Sequence, residues 1–208
     1  MTKYGLALHT TSPDLGLAIA NFAGDIRSST WELGLDLSSY LHQYLKEFLQ
    51  PQTWSDLGFI AVAKGPGSFT ATRIGVVTAR TLAQQLDIPL FAISSLKAVA
   101  FSEKEKCQDG EAIAVQMQAR RGQLFVAIYQ PSTDGMGLKE YLPDTTTTPE
   151  KWQQTLDNLE MSYKLIETPV NLGNTVISLL ELAYLDRQQG KCPDWSQALP
   201  FYGQHPVQ

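Results

Sequence analysis

The sequence predicts an α/β fold in two lobes, with mixed sheets flanked by helices. The first thirty residues contain three short, largely apolar runs separated by turn residues, a pattern typical of an antiparallel meander. Between residues 36 and 95, amphipathic stretches alternate with apolar runs, which indicates parallel strands joined by right-handed crossover helices. More strands are expected after residue 110. A chain of 208 residues fits one large domain or two small lobes, and we expect an N-terminal lobe over residues 1–100 and a smaller C-terminal lobe over residues 101–208.

Hydrophobic spacing defines the elements of the N-terminal lobe. The first helix has Asp36 or Ser38 as its cap, and Ser94 or Ser95 can cap a later helix. Apolar side chains recur in the first helix at spacings of three and four, which places them on one face: Leu37, Tyr40, Leu41, Tyr44, Leu45, Phe48 and Leu49. The predicted strands cover 4–10, 15–21, 26–33, 57–65 and 88–95, and the predicted helices cover 36–50 and 69–86.

The C-terminal lobe has a less regular pattern. Two paired strands are predicted over 111–119 and 122–130, on either side of Arg120 and Arg121. Residues 131–149 are rich in threonine, proline, glycine and aspartate, and we predict an exposed excursion there. The remaining predicted elements are a short helix over 150–159, a strand over 163–167 and a long helix over 174–189.

Composition narrows the class of protein. Sixteen basic and twenty-one acidic residues among 208 give a net charge of -5, which disfavours a protein that binds nucleic acid alone. The two cysteines, Cys107 and Cys192, form no CxxC pair and suit a reducing compartment. With no leader pattern and no apolar run long enough to cross a bilayer, we expect a cytoplasmic protein that is not attached to a membrane.

A glycine-rich loop, Gly65-Pro66-Gly67-Ser68, lies between an apolar strand and a helix. Such a loop can present free N–H groups to a phosphate. However, a Walker loop has its lysine after the second glycine, whereas Lys64 precedes this loop. We favour a tight strand-to-helix turn, with the glycines allowing the backbone to bend and Ser68 as the helix cap.

The end of the first strand, LALHTTS, has hydroxyl residues where phosphate-binding loops of sugar kinases and actin have them. In those loops an aspartate occupies the position of His9, and a histidine supplies no negative charge to magnesium. The other two histidines, His42 and His205, have no metal-ligand spacing to it, and no GxSxG elbow frames a serine. We expect no metal, no cofactor and no catalytic residue.

Two further features can recognise a partner. Arg120 and Arg121 can grip a carboxylate or phosphate, or remain solvated at a turn. The aromatic face of the first helix can pack in the core, or part of it can contact a second chain.

Taken in order and spacing, several segments are similar to the TsaB (YeaZ) family. They are YGLALHTTSPDLGLAIAN, GLDLSSYLHQYLKEFL, QARRGQLF and, most specifically, the GPGSFT core followed by Arg73-Ile74-Gly75. The resemblance covers residues 4–130 and implies an actin-like fold of the kind found in sugar kinases and heat-shock ATPases. It also implies a non-catalytic subunit that pairs with a TsaD-type catalytic subunit, or with a second copy of itself, through its first two helices. With a TsaE-type ATPase, that complex modifies adenosine 37 of tRNAs reading codons that begin with A, so tRNA is contacted through the complex.

The chain departs from the family pattern at two carboxylates. His9 and Gln118 stand where the family has aspartate, and Gln204 stands where it has a closing arginine. Losing the carboxylates weakens magnesium–nucleotide binding but leaves the helical partner surface unaffected. The alternative function is an actin-fold ATPase or small-molecule kinase that uses the loops 9–12 and 65–70.

The predicted site residues fall into three groups. Partner-binding residues are Tyr40, Leu41, Tyr44, Leu45, Phe48, Ile74 and Val77. The loop that sets the second helix comprises Gly65, Pro66, Gly67, Ser68, Phe69, Thr70 and Arg73. Arg120 and Arg121 are expected to make polar contacts.

Overall fold

The computed structural model describes residues 3–108, 110–132 and 137–203. Its nine strands over these residues are β1 (Tyr4–His9), β2 (Asp14–Ala20), β3 (Ile26–Glu32), β4 (Leu57–Ala63), β5 (Leu90–Ile93), β6 (Ala112–Gln118), β7 (Leu124–Pro131), β8 (Leu138–Thr147) and β9 (Tyr163–Glu167). The α-helices over the same residues are α1 (Leu37–Leu49), α2 (Phe69–Leu86), α3 (Ser95–Glu103), α4 (Pro149–Asp157) and α5 (Val176–Gln188). His205 and Gln204 lie outside the described residues.

The two sheets share one connectivity. The first has the order β3-β2-β1-β4-β5, and the second has the order β8-β7-β6-β9. Each begins with an antiparallel meander, β1–β2–β3 or β6–β7–β8. Each then continues through a helix to a strand parallel to the first, β4 beside β1 and β9 beside β6. The predicted mixed sheets are confirmed, and the second repeats the topology of the first without a fifth strand among the described residues.

Apolar clusters show how the elements are layered. Helices α1 and α2 cover one face of the first sheet, where Leu6, Leu8 and Leu17 are buried against them. The opposite face of that sheet packs against α3 and α5, which also cover the second sheet. Helix α4 covers the outer face of the second sheet through Trp152 and Leu156. Two helices are therefore sandwiched between the sheets, and α1 and α2 form an outermost layer.

The predicted excursion over 131–149 is wrong for most of its length. Residues 138–147 form β8, which pairs antiparallel with β7. Threonine is β-branched and fits a half-buried strand, and proline is tolerated at a sheet edge, where its missing N–H is not needed. The pairing with β7 is irregular between Val126 and Tyr129. Residues 133–136 of the predicted excursion lie outside the described residues.

The boundary between the lobes stays a prediction. The two sheets fall on either side of residue 100. However, α5 comes from the C-terminal half of the chain and packs against β1, β2 and β4 of the first sheet. The chain thus returns to the first sheet after completing the second.

Arg27 of β3 joins the edge of the first sheet to the end of α1. Its Nη2 atom lies 3.0, 2.9 and 3.0 Å from the carbonyl oxygens of Phe48, Leu49 and Gln50. The last carbonyls of a helix have no partner within the helix, and they carry its negative dipole end. The two N–H groups of Nη2 are shared among these carbonyls and the Gln52 side-chain oxygen at 2.6 Å, and the positive charge at the helix end holds α1 against the sheet.

Candidate functional site

Thr10 and Thr11, which directly follow β1, contact the start of helix α2 and the loop before it. The Thr10 hydroxyl donates to the carbonyl oxygen of Ala71 at 2.9 Å, and a Cβ added at Gly75 would lie 3.2 Å from the Cβ of Thr10. A Cβ added at Gly67 would lie 2.7 Å from the Cβ of Thr11 and would overlap the Thr11 carbonyl. Glycine is therefore required for close backbone approach at these positions, in support of the predicted turn.

Ser68 does not cap α2 as predicted. It occupies the N-cap position, but its side chain accepts no capping hydrogen bond. Its backbone acts instead: the Ser68 N–H donates to the Thr11 carbonyl at 2.7 Å, and the Ser68 carbonyl accepts from the Thr72 hydroxyl at 2.6 Å. The backbone of loop 65–68, rather than the serine hydroxyl, thus holds the start of α2 against the end of β1.

A cleft of about 580 Å³ opens where the two sheets meet. Its N-terminal wall includes Ser12, Ser68 and Phe69, and its opposite wall includes Gln118 and Phe125. The loops 9–12 and 65–70 named in the alternative function therefore come together at one cleft. Residues 200–203, near the end of the described chain, also line it.

Arg120 and Arg121 both line this cleft, opposite the start of α2. They belong to the short connection between β6 and β7, and Arg121 has a left-handed backbone with φ of 59°. Non-glycine residues in this region are uncommon and often occur at functional sites. The arginines therefore bring positive charge to the wall that faces the positive end of the α2 dipole.

His9 is completely buried at the end of β1. Neither of its ring nitrogens has a hydrogen-bond partner among the described residues. Burial lowers the pKa of His9 to about 4, an effect that the nearby Asp14 carboxylate partly opposes. The imidazole is therefore neutral at physiological pH and supplies no negative charge at the end of β1.

A polar junction beneath the cleft was missed by sequence reasoning. The Ser12 hydroxyl accepts a hydrogen bond from the Leu172 N–H at 3.0 Å and donates to the Asp14 carboxylate. The other Asp14 oxygen accepts from the Gly173 N–H at 2.8 Å. The bonds from Leu172 and Gly173 connect residues about 160 positions apart, so no local sequence pattern predicts them.

A second polar junction joins α3 to β8. Ser94 caps α3 by accepting from the N–H groups of Leu96 and Lys97, which confirms one of the two predicted caps. Its hydroxyl also donates to Asp144 at 2.7 Å, and the Tyr129 hydroxyl donates to the same oxygen at 3.2 Å. Burial raises the pKa of Asp144, whereas the Ser94 hydrogen bond and the charge of Lys64 lower it.

The predicted partner surface contains both buried and exposed residues. Leu41 and Leu45 are buried against the first sheet, so assigning them to a partner surface was wrong. Tyr44 and Phe48 are half-buried because both pack on Trp31 of β3, with ring centroids 4.8 and 6.0 Å from it. These four residues fill the space between α1 and the sheet.

The rest of the predicted surface remains accessible. Tyr40 is 46% exposed on α1, Val77 is 59% exposed on α2, and Ile74 is half-buried near Val77. Thr70 and Arg73 are also exposed, and the Arg73 guanidinium lies 5.3 Å from the centre of the Phe69 ring. Sequence reasoning missed Leu35, which is fully exposed just before α1.

The part of the chain that the structure describes offers neither a metal site nor a membrane-spanning helix. No group of three or more His, Cys, Asp or Glu residues there is arranged to hold a metal ion. Across residues 3–108, 110–132 and 137–203, no helix has both the length and the apolar character needed to cross a bilayer.

Fold and cleft together define an α/β protein of two mixed sheets flanked by helices, with the cleft where the sheets meet. Its structure matches that of YeaZ from Pseudomonas aeruginosa with a TM-score of 0.78, over 96% of this chain and 100% of that one, at 23% identity. The family described as "TsaD: tRNA N6-adenosine threonylcarbamoyltransferase" matches residues 37–162, more than half of the chain. The chain belongs to this family, in its TsaB (YeaZ) group.

Two relatives support this placement. The "tRNA threonylcarbamoyladenosine biosynthesis protein TsaB" of Bacillus subtilis (strain 168) is 44% identical over 101 residues, which are 49% of this chain and 42% of the relative. The protein of the same name from Buchnera aphidicola (subsp. Acyrthosiphon pisum) is 29% identical over 133 residues, which are 62% of this chain and 58% of the relative. The chain thus spans about half the length of the curated relatives it matches.

Proposed function

We propose that this protein is a binding and activating subunit for threonylcarbamoylation of adenosine 37 in tRNAs reading codons that begin with A. It pairs with a TsaD-type catalytic subunit, acts together with a TsaE-type ATPase, and contacts tRNA through that complex in the cytoplasm. The names of its relatives place them in threonylcarbamoyladenosine biosynthesis. The supporting observation in this chain is the outermost layer of α1 and α2, which carries the exposed apolar side chains Tyr40 and Val77.

The structure gives this proposal a physical basis. Leu41 and Leu45 bind α1 to the sheet, and the loop 65–68 holds the start of α2 against the end of β1. The two helices are thereby fixed before a partner arrives, which lowers the entropy lost on binding. In the absence of the catalytic subunit, we propose that the same face pairs two copies of this chain.

The burial of His9 also favours a scaffold function over nucleotide binding. Because its imidazole is buried and neutral at pH 7, it adds no negative charge for a magnesium–nucleotide complex. The partner surface on α1 and α2 does not depend on that charge.

The variant Val77→Asp tests the proposed surface. A carboxylate at an apolar contact must be desolvated on binding. We therefore expect the Kd for the TsaD-type subunit to rise at least about 100-fold. Kd is measured by calorimetry with both purified proteins. The threonylcarbamoyladenosine content of an unmodified tRNA transcript is then measured in the reconstituted system, with and without this chain.

Ile26→Asp is the matched control. Ile26 is a β-branched side chain that is 52% exposed on β3, similar to the 59% of Val77, but it lies on a different element. Circular dichroism establishes that both variants are folded. Binding by Val77→Asp with the wild-type Kd would overturn the surface, and modification that does not depend on this chain would overturn the function.

A second candidate function, an actin-fold ATPase or small-molecule kinase, is favoured by one observation. Ser12, Ser68, Arg120 and Arg121 line a single cleft of about 580 Å³. Calorimetry with Mg-ATP on the isolated chain distinguishes the two functions, and we expect no micromolar binding. Micromolar affinity accompanied by turnover that is lost in Ser68→Ala would favour the enzyme.

A further inference from the structure

The segment Pro200–Gly203 runs along the cleft, and all four of its residues line it. We infer that this segment, here called the C-terminal strap, ties the N-terminal wall of the cleft to the second sheet and so fixes the distance between them. The inference does not depend on the proposed function. It rests on contacts that the strap makes on both sides of the cleft.

On the N-terminal side, the strap holds the glycine loop and the start of α2. The Phe201 N–H donates to the carbonyl oxygen of Lys64 at 2.7 Å. A Cβ added at Gly65 would lie 3.6 Å from the Cβ of Phe201, so this side chain lies against the loop. The Tyr202 ring packs on Phe69, the first residue of α2, with ring centroids 5.4 Å apart.

On the other side, the strap contacts the second sheet. The Thr146 hydroxyl of β8 donates to the carbonyl oxygen of Gly203 at 2.9 Å. The Phe201 ring packs edge-on against Phe125 of β7, at a centroid distance of 6.1 Å. Phe201 therefore contacts both sides: its N–H donates to Lys64, directly after β4, and its ring packs on Phe125 of β7.

This arrangement has a mechanical consequence. The bond between Ser94, which follows β5, and Asp144 of β8 already connects the first sheet to the second. The strap adds a further connection, and all four of its residues line the cleft. Opening of the cleft requires the strap contacts to break, so their loss should increase motion on both sides together.

Thr146→Val provides the test, because it removes the hydroxyl that bonds to Gly203 while nearly preserving the shape of the side chain. Hydrogen exchange of the full chain is followed by mass spectrometry. Peptides covering 65–72 report on the glycine loop and the start of α2, across the cleft from the substitution. We expect exchange there to become about fivefold faster, as loss of one hydrogen bond in a local opening implies. Phe201→Leu should have an effect of the same kind or larger.

Thr145→Val is the matched control, since the Thr145 hydroxyl donates to the carbonyl oxygen of Pro143 on its own strand. Exchange in β2 serves as the reference for global unfolding. Unchanged exchange over 65–72 in Thr146→Val would overturn the inference, and so would an increase confined to β8. An equal increase in β2 would show a general loss of stability, which contradicts a specific tie across the cleft.

Discussion

Lowering the pH from 7 to 4 should reduce the free energy of unfolding by about 3 kcal/mol through His9 alone. Its pKa is about 4 in the folded protein, compared with an ordinary value of 6.5. Because the folded state disfavours the proton, the unfolded state binds more protons between these two values. The stabilisation is therefore complete above pH 6.5 and is lost as the pH falls towards 4. A shift of about 2.5 pKa units at 1.36 kcal/mol per unit gives the magnitude.

Urea unfolding at several pH values between 7 and 4 measures this effect, and His9→Asn removes the titrating group. Asp144 contributes with the opposite sign: its raised pKa in the folded protein adds stability as the pH falls. The quantity to compare is therefore the difference between wild type and His9→Asn at each pH. This difference should change by about 3 kcal/mol across the range.

His42 provides the matched control, because it is an exposed histidine on α1. His42→Asn is measured over the same pH range. A wild-type profile that runs parallel to that of His9→Asn would show that the buried imidazole is protonated without cost, contrary to this prediction.

The local elements were predictable because they depend on short-range patterns. The bounds of α2, 69–86, were predicted from the glycine loop before it and from the apolar spacing within it. The three strands of the first meander were predicted to within a residue of their ends, because turn residues separate them. Strand β8 was missed because an edge strand half-exposed to water has no apolar run to mark it.

The site was less predictable because it depends on tertiary contacts. The sequence predicted that the loop 65–68 sets α2, but not that backbone groups do this in place of the Ser68 hydroxyl. On α1, helical spacing groups aromatic and aliphatic side chains on one face. That spacing does not reveal that Trp31 of β3 covers Tyr44 and Phe48. Burial of Leu41 and Leu45 likewise follows only from how the helix sits on the sheet.

Gly16→Ala should lower the free energy of unfolding by about 3 kcal/mol or more, because it forces apart β2 and residues 172–173, which pack directly against each other. A Cβ at Gly16 would lie 2.9 Å from both the carbonyl carbon and the Cα of Gly173, and it would overlap the carbonyl oxygen. These are backbone atoms, so no side chain can rotate away. Moving them would break the hydrogen bonds from Leu172 to Ser12 and from Gly173 to Asp14, leaving buried polar groups unpaired.

Gly34→Ala is the control for this substitution. Gly34 has a left-handed backbone with φ of 52°, and a Cβ there would meet nothing within 4 Å. It should therefore show only the conformational penalty of alanine, about 1 kcal/mol. Urea unfolding at pH 7 compares the two variants. Equal losses would mean that backbone conformation alone sets the cost, whereas a loss at Gly16 about three times larger would assign it to the junction between β2 and residues 172–173.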